Sequence, residues 1–356
     1  MINLLHIVNA LRSPALELKN IGPVTIFTET ITVGNSAVTA RCRIHGIEGD
    51  RLFKCYYRPK KNARAIYGSS YYPQELRLFT LGGRVEYADV LIAEWVEGMP
   101  LDIVAASHGC DYGALSHAFD SMAIRLLEAD YAHGDIKPEN IICRPDGEMQ
   151  LIDMDAMWHS GIEERSLDEY GTPAFNHPKR PLMRLGKHID DYPLALLSTI
   201  LATLALDAEG FDGALSTDNP LFNPQQIVCG KDRALNEAMM LLFRNGDIAH
   251  HAIATRLTSS WGVIDDLHQL LCRALEIDCN KPNDVSKAAV EYKPPKHTAP
   301  HKRRRAWSFE EEERLTVWLC DGESIATIAT LLGRSEQAVR AHITKLKIKD
   351  KRRPTT

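Results

Sequence analysis

Between residues 24 and 57 apolar and polar side chains alternate over three short stretches, VTIFTETITV, AVTARCRIHG and RLFKCYY. All three are rich in β-branched and aromatic residues, and Gly34, Gly46 and Gly49 fall in the breaks. This pattern suits half-buried strands joined by short turns, so three antiparallel strands are expected. YYPQELRLFT, with Pro73 near its start, is expected to be a helix, and VEYADVLIAEWVEG two further strands. Beyond Gly98 the apolar period lengthens to that of a helix in YGALSHAFDSMAIRLLEADYA, and a helical pattern returns from Asp190 to about Glu276. The longest apolar run, Tyr192 to Leu206, is shorter than the roughly 20 residues that span a bilayer, so it reads as a helix buried in a large domain. A β-rich stretch (about 22–98) followed by a helical one (99–280) gives an α+β domain over residues 1–280.

Residues 281–304 break both periods. Prolines and basic residues dominate, as in an exposed linker. A second unit follows, at 305–350. Ser308 and Glu311 form a capping box, and Leu315, Trp318 and Leu319 continue the apolar face of that helix. A second helix is expected from Ser324 to Leu332, ended by Gly333, and a third, EQAVRAHITKL, capped by Ser335. Helix, Gly-containing turn, helix is the pattern of a helix-turn-helix.

Charge separates these two parts. The chain has 356 residues and a net charge of -5, yet residues 293–356 hold fifteen Lys/Arg against eight Asp/Glu, leaving an acidic body with a basic tail. Such a tail suits a polyanionic partner. The eight cysteines are scattered without C-x-x-C spacing and read as reduced thiols. Cys272 and Cys279 are the closest pair, but their neighbours offer no ligand set, and no structural zinc site is expected. The opening MINLLHIVNALRSP lacks a basic leading region and is interrupted by His6 and Asn9, unlike a signal peptide. A cytoplasmic protein without a membrane partner is the expectation, associated with nucleoid or chromatin if the tail binds DNA.

The densest chemistry lies in AHGDIKPENIICRPDGEMQLIDMD, Ala132 to Asp155. His133, Asp135, Lys137 and Asn140 sit together, and two apolar pairs that read as strands lead to Asp153 and Asp155. Phosphoryl transfer asks for these residue types: a carboxylate for the attacking hydroxyl, a lysine for phosphate charge, an Asn and an Asp for magnesium. The stretch resembles the catalytic loop of eukaryotic-like Ser/Thr protein kinases, H-R-D-[LI]-K-P-x-N, and the resemblance covers about residues 22–280. It implies a bilobal fold with a β-rich N-lobe and a helical C-lobe, ATP and Mg2+ as cofactors, and a protein substrate. It also implies roles. Asp135 would be the catalytic base and Lys137 would touch the transferred group. Asn140 and Asp153 would hold magnesium. Lys54 would hold the α and β phosphates, with Glu75 on the following helix as its ion-pair partner. LIAEWVEG would be the hinge, its backbone from Glu94 to Val96 bonding the adenine edge with Ala93 at the back of the pocket. Gly34 would belong to the phosphate-covering loop, GTPAF would end an activation segment, His133 would pack the loop, and Asp191 would brace it from below.

The sequence departs from the family in four places. The glycine-rich loop reads VGNSAVTA, Asp-Phe-Gly reads Asp153-Met154-Asp155, Gly134 replaces the arginine before the catalytic Asp, and Lys179 stands where the family has a glutamate. Asp155 is expected to pair with a nearby base, and the usual Glu–Arg brace to be missing or replaced. The unit at about 305–349 resembles Myb/SANT-like helix-turn-helix domains through Trp307, Trp318 and its second and third helices. That implies a small three-helix domain with Arg334, Gln337, Arg340, His342 and Lys345 as DNA-contact candidates. Two other functions fit the departures: a pseudokinase scaffold in a transcription regulator, and a small-molecule phosphotransferase, where His-Gly-Asp also occurs.

The hinge alignment is testable. Because alanine is small, bulky adenine-derived inhibitors should bind, and Ala93→Met should weaken them in a competition titration. Equal affinity for both proteins would mean the hinge lies elsewhere.

Overall fold

A computed structural model of the chain describes residues 2, 4–13, 16–79, 84–162, 171–183, 186–211, 215–218, 220–259, 261–279, 315, 318–319, 324–332, 334 and 336–345. The fold is α+β. Helix α1 (Leu4–Arg12) precedes β1 (Val24–Ile26), β2 (Thr32–Val33), β3 (Ala37–Ile44) and β4 (Arg51–Tyr56). A short helix α2 (Ala63–Tyr67) follows, then β5 (Tyr71–Phe79) and β6 (Val85–Glu94). Contacts divide the chain into two units, one comprising residues 1–59, 70–95 and 299–356, the other residues 60–69 and 96–298.

In the first unit six strands form one antiparallel sheet, ordered β1-β3-β4-β6-β5 with β2 also on β3. Alternation sets its two faces. Val38, Cys42, Phe53, Cys55, Ala88 and Val90 share a buried core with Ile7, Val8 and Leu11 of α1. Each large side chain there contributes roughly 1.5–3 kcal/mol by leaving water.

The helix expected over YYPQELRLFT is instead β5. Pro73 lacks a donor, and Gln74 takes a left-handed φ of 51°, so residues between Tyr72 and Leu76 bulge out of the ladder while the flanking residues pair with β6. Cross-strand pairing of Tyr71, Leu76 and Leu78 outweighs local helical preference. VEYADVLIAE is a single ten-residue strand rather than two. Residues 17–19 run beside β5, with Arg77 N–H donating to the Glu17 carbonyl at 3.0 Å, and so cover that sheet edge.

The second unit continues with β7 (Met99–Pro100), α3 (Leu101–Ala105), α4 (Tyr112–Glu128), β8 (Tyr131–Ala132), β9 (Ile141–Cys143), β10 (Met149–Leu151) and β11 (Trp158–His159). Then come α5 (Asp191–Asp207), α6 (Pro224–Ile227), α7 (Arg233–Arg244), α8 (Ile248–Ser259) and α9 (Leu267–Ala274). As expected, α5 is the buried centre, enclosed from Asp191 to Leu204. With the turn before it, the run Lys187–Asp207 is apolar enough for a membrane span, but 89% of its window is buried within the protein. Its hydroxyls are satisfied internally, Thr199 and Thr203 donating to the carbonyls of Ala195 and Thr199 at 2.8 and 2.7 Å.

In the tail the described residues form α10 (Ile325–Leu331) and α11 (Glu336–Lys345), while Leu315, Trp318 and Leu319 are helical. Ser324 caps α10, its Oγ accepting from the Thr327 N–H at 3.0 Å. The buried Leu315, Trp318, Ile328, Val339 and Ile343 belong to the same apolar cluster as the sheet and α1. Trp307, Ser308, Glu311, Gly333 and Ser335, and the linker 281–304, lie outside the described residues.

A buried ionic chain ties three helices of the second unit. Asp120 on α4 accepts from Ser198 on α5 at 2.7 Å and meets His250 Nε2 on α8 at 2.8 Å, while Asp247 meets His250 Nδ1 at 2.7 Å. Burial alone would lower the His250 pKa, but the two carboxylates outweigh it and push it up to about 10. A histidine raised in the folded state stabilises fully below its unfolded value, about 6.5, and loses that contribution as pH rises towards about 10. His250→Leu, which strands Asp120, should cost about 3–5 kcal/mol in urea unfolding. The wild-type-minus-variant difference should shrink between these two pH values. A difference that is constant or grows with pH would show that His250 is not held charged.

Candidate functional site

The hairpin β9–β10 builds the site. Ile141 pairs with Leu151, and beyond that pair the Ile152 N–H donates to the Asn140 carbonyl at 2.9 Å. This register brings the end of the loop 133–140 beside the start of 153–156, so Asn140 and Asp153 emerge at the same open end of one hairpin.

On that loop Asp135 is the centre. Lys137 Nζ lies 3.1 Å from its Oδ2, and the Thr172 hydroxyl donates to its Oδ1 at 2.8 Å. Asn140 Nδ2 donates to the Asp135 carbonyl at 2.9 Å and to its carboxylate at 3.1 Å. Lys137 also reaches the Thr172 hydroxyl at 3.3 Å. Burial by itself would raise the Asp135 carboxyl, but the Lys137 ammonium and the Thr172 hydroxyl prevail and leave it below the ordinary value. It is therefore a carboxylate at neutral pH. Because Asn140 spends its amide NH2 on the loop, its oxygen stays free of that task, and oxygens of this kind together with a carboxylate such as Asp153 are what Mg2+ takes.

Sequence reasoning missed Thr172. It lies in GTPAF, read as the end of an activation segment, and only folding brings it to Asp135. A turn holds it: Phe175 N–H and Asn176 Nδ2 both donate to its carbonyl, at 3.0 and 2.9 Å. Gly171 precedes it at φ 75°, where an added Cβ would lie 2.7 Å from the Gly134 carbonyl.

The acid expected to brace the loop, Asp191, is corrected. Asp190, not Asp191, accepts the N–H groups of His133 and Gly134, the latter at 2.9 Å. Both acids stand at the start of α5, and rotation within one turn decides their directions. Asp191 instead accepts the Ile264 N–H at 2.9 Å and meets His188 at 3.0 Å, and burial first of all raises its pKa to about 6. His133 is fully buried: Nε2 donates to the Ile152 carbonyl at 2.8 Å and Nδ1 accepts the Asp135 N–H at 3.3 Å, so it packs the loop.

Gly134, where the family has arginine, is there of necessity. It sits at φ 86°, and an added Cβ would fall 2.1 Å from the Ala156 carbonyl oxygen. An arginine does touch the loop. Arg180, buried, donates to the carbonyls of Ile189 and Gly134, the latter at 3.1 Å. Lys179 takes no part, its ammonium lying 3.2 Å from the centroid of the Trp261 ring.

Asp153 has a left-handed backbone, φ 62° and ψ 67°, rare for a residue with a side chain. Strain of this kind gathers at functional sites. Asp155 pairs with a base, as expected: Lys60 Nζ is 3.7 Å away and the Tyr67 hydroxyl donates at 2.6 Å.

The remaining candidates lie in the sheet. Lys54 on β4 is buried, with Nζ 5.2 Å from the centroid of the Tyr56 ring. It pairs across from Leu91, and Leu52 from Ala93, so Lys54 and Ala93 share one face two residues apart. Glu94 ends β6, and Val96 falls just beyond the boundary of the sheet unit. Gly34 starts a closed hairpin turn: its N–H donates to the Ala37 carbonyl at 2.9 Å and its own carbonyl accepts from the Tyr57 hydroxyl at 3.1 Å. Glu75 is corrected. It is fully buried in the β5 bulge, not on a helix, and accepts from the backbone N–H groups of Asn20 and Ile21 and from the Asn20 amide, at 2.6, 2.8 and 2.7 Å. The helix that does follow β4, α2, contains no acid.

In the tail, His342 is also corrected: it is buried, at 5% exposure. Arg340 is exposed and lies 3.3 Å from Glu336, and Arg334 is half-buried. The side chains of Gln337 and Lys345 lie outside the described residues. No protein-family model matches the chain, and no curated protein matches it.

Asp190 and Gly134 give a paired prediction. Asp190→Ala leaves two buried N–H groups without their acceptor, at about 1–3 kcal/mol each. Gly134→Ala forces the loop off Ala156. Both should lower the unfolding temperature and raise hydrogen exchange at residues 133–140. Unchanged protection in both would show that the loop is held by something else.

Proposed function

We propose that the chain is an ATP- and Mg2+-dependent Ser/Thr protein kinase joined to a DNA-binding helix-turn-helix domain. The observation that carries this is the convergence of Lys137, Thr172 and Asn140 on the Asp135 carboxylate. A carboxylate held ionised beside a lysine suits the task of orienting a hydroxyl towards a phosphoryl group while the lysine offsets developing negative charge. Asn140 and Asp153 supply the oxygen donors that suit magnesium, whose role when bound is to bridge and neutralise phosphate oxygens. Lys54 would take the α and β phosphates, and the backbone from Glu94 to Val96 the adenine edge. The bilobal reading draws support from the strand order β1-β3-β4-β6-β5, from the buried lysine on β4, and from a unit boundary at Trp95–Val96. Pro138 after Lys137 and the Gly171-Thr172-Pro173 segment favour a protein substrate over a small molecule. For the tail, the exposed Arg340, with Arg334 and the basic residues 302–305, favours a phosphate backbone as partner.

One alternative has observations of its own. A pseudokinase fits the Gly34 turn, whose own N–H is spent on the Ala37 carbonyl, and the commitment of Glu75 to Asn20. The two readings separate in one assay: transfer from γ-labelled ATP with magnesium, to the protein itself and to generic protein substrates. The kinase reading expects label on wild type and a loss of at least about 100-fold in Asp135→Asn and Asp153→Ala. No label on wild type, with ATP still raising its unfolding temperature, would overturn it in favour of the pseudokinase.

A further inference from the structure

Three metal-ligating side chains converge at the end of the helical unit, away from the phosphoryl-transfer site. His268 and Cys272 are four residues apart on α9 and therefore share a face. Beyond the helix Glu276 takes a left-handed φ of 55°, and the Ile277 N–H donates back to the Cys272 carbonyl at 2.9 Å while the Glu276 N–H donates to that of Arg273 at 3.1 Å. These two bonds form the reversing turn that usually needs a glycine. Here a glutamate bears the strain, and the reversal returns Cys279 to the helix. As a result His268, Cys272 and Cys279 offer one nitrogen and two sulfurs that all lie within 4.8 Å of one another. The Cys272 Sγ to His268 Nδ1 distance is 3.9 Å. Tetrahedral zinc with bonds of about 2.3 Å to sulfur and 2.0–2.1 Å to nitrogen would set it at about 3.6 Å.

We infer that His268 Nδ1, Cys272 Sγ and Cys279 Sγ form a binding site for a thiophilic divalent cation, zinc. A fourth observation points the same way. His268 Nε2 lies 3.1 Å from Glu128 Oε1 on α4. A carboxylate on one ring nitrogen fixes the tautomer that presents the other as a lone pair, the arrangement that metal-binding histidines generally show. Two thiolates and a neutral imidazole balance a divalent charge, and the soft sulfurs select against magnesium and calcium. Access is available, since His268 and Cys279 are half-exposed while Cys272 is buried. The ion would clip the last described turn of the helical unit to α9 and, through Glu128, to α4, and it leaves a fourth position for water or another ligand. Sequence reading excluded zinc here because the Cys272–Cys279 spacing alone gave no set. The missing ligand is a histidine one helical turn earlier, with its carboxylate partner 140 residues away.

The test uses the full chain purified under reducing conditions without chelator. Elemental analysis should find one zinc per chain. After chelation and removal of the chelator, cobalt(II) titration should produce a thiolate-to-metal charge-transfer band with the visible bands of tetrahedral cobalt, and zinc should displace them. Cys272 is a core residue, so the deciding variant is the half-exposed Cys279→Ser, which should lose about half the charge-transfer intensity and weaken binding at least about 10-fold. Glu128→Gln should keep the spectrum and weaken binding about 10–100-fold. Cys229→Ser should change nothing, since that thiol is exposed and outside the cluster. Substoichiometric metal without a charge-transfer band, equal binding by wild type and Cys279→Ser, or a Cys272–Cys279 disulfide in protein that takes no metal would each overturn the site.

Discussion

The Asp190 carboxylate, buried beneath the loop 133–140 and accepting the N–H groups of His133 and Gly134, is the contact on which the rest of the site depends. Burial first raises its pKa, while Arg180 and the loop amides favour the charged form. It fixes the loop at Gly134, and Gly134 in turn must be glycine because its Cα sits against the Ala156 carbonyl. Asp135 and Asn140 follow on the same loop, and the β9–β10 register brings the chain at Asp153 next to Asn140. Site geometry is thus set by buried backbone hydrogen bonds, which tolerate little displacement.

Much of the loop was legible in the sequence because its parts are contiguous. Asp135, Lys137 and Asn140 fall within six positions, and the two apolar pairs after them announce a hairpin. The buried helix α5 and the two described tail helices were legible for a related reason, since a helix declares itself by local period. Long-range pairings were not. YYPQELRLFT became a strand because β6 offered it a partner, and with it Glu75 left its expected role for a bond to a residue 55 positions earlier. Asp190 and Asp191 are neighbours of equal chemistry, and only the rotation at the start of α5 separates them. Thr172 and Arg180 carry no local signal at all; both act on a loop some 35–46 positions away.

Three positions that differ from the kinase pattern each make contacts of their own. Gly134 packs against the Ala156 carbonyl at a positive φ, and Arg180 donates to the Gly134 carbonyl. Asp155, where the family has glycine, is held by Lys60 and Tyr67 around the short helix α2. Lys179 lies over the exposed Trp261 ring.

The most direct measurement is the steady-state rate of Thr172→Val beside Thr172→Ser, with KM for ATP determined in both. If Asp135, Lys137 and Thr172 act as one unit, valine should lower kcat by about 100-fold or more with KM for ATP unchanged, and serine should retain most of the rate. A valine variant as active as wild type would contradict that unit and, with it, the phosphoryl-transfer reading of the loop.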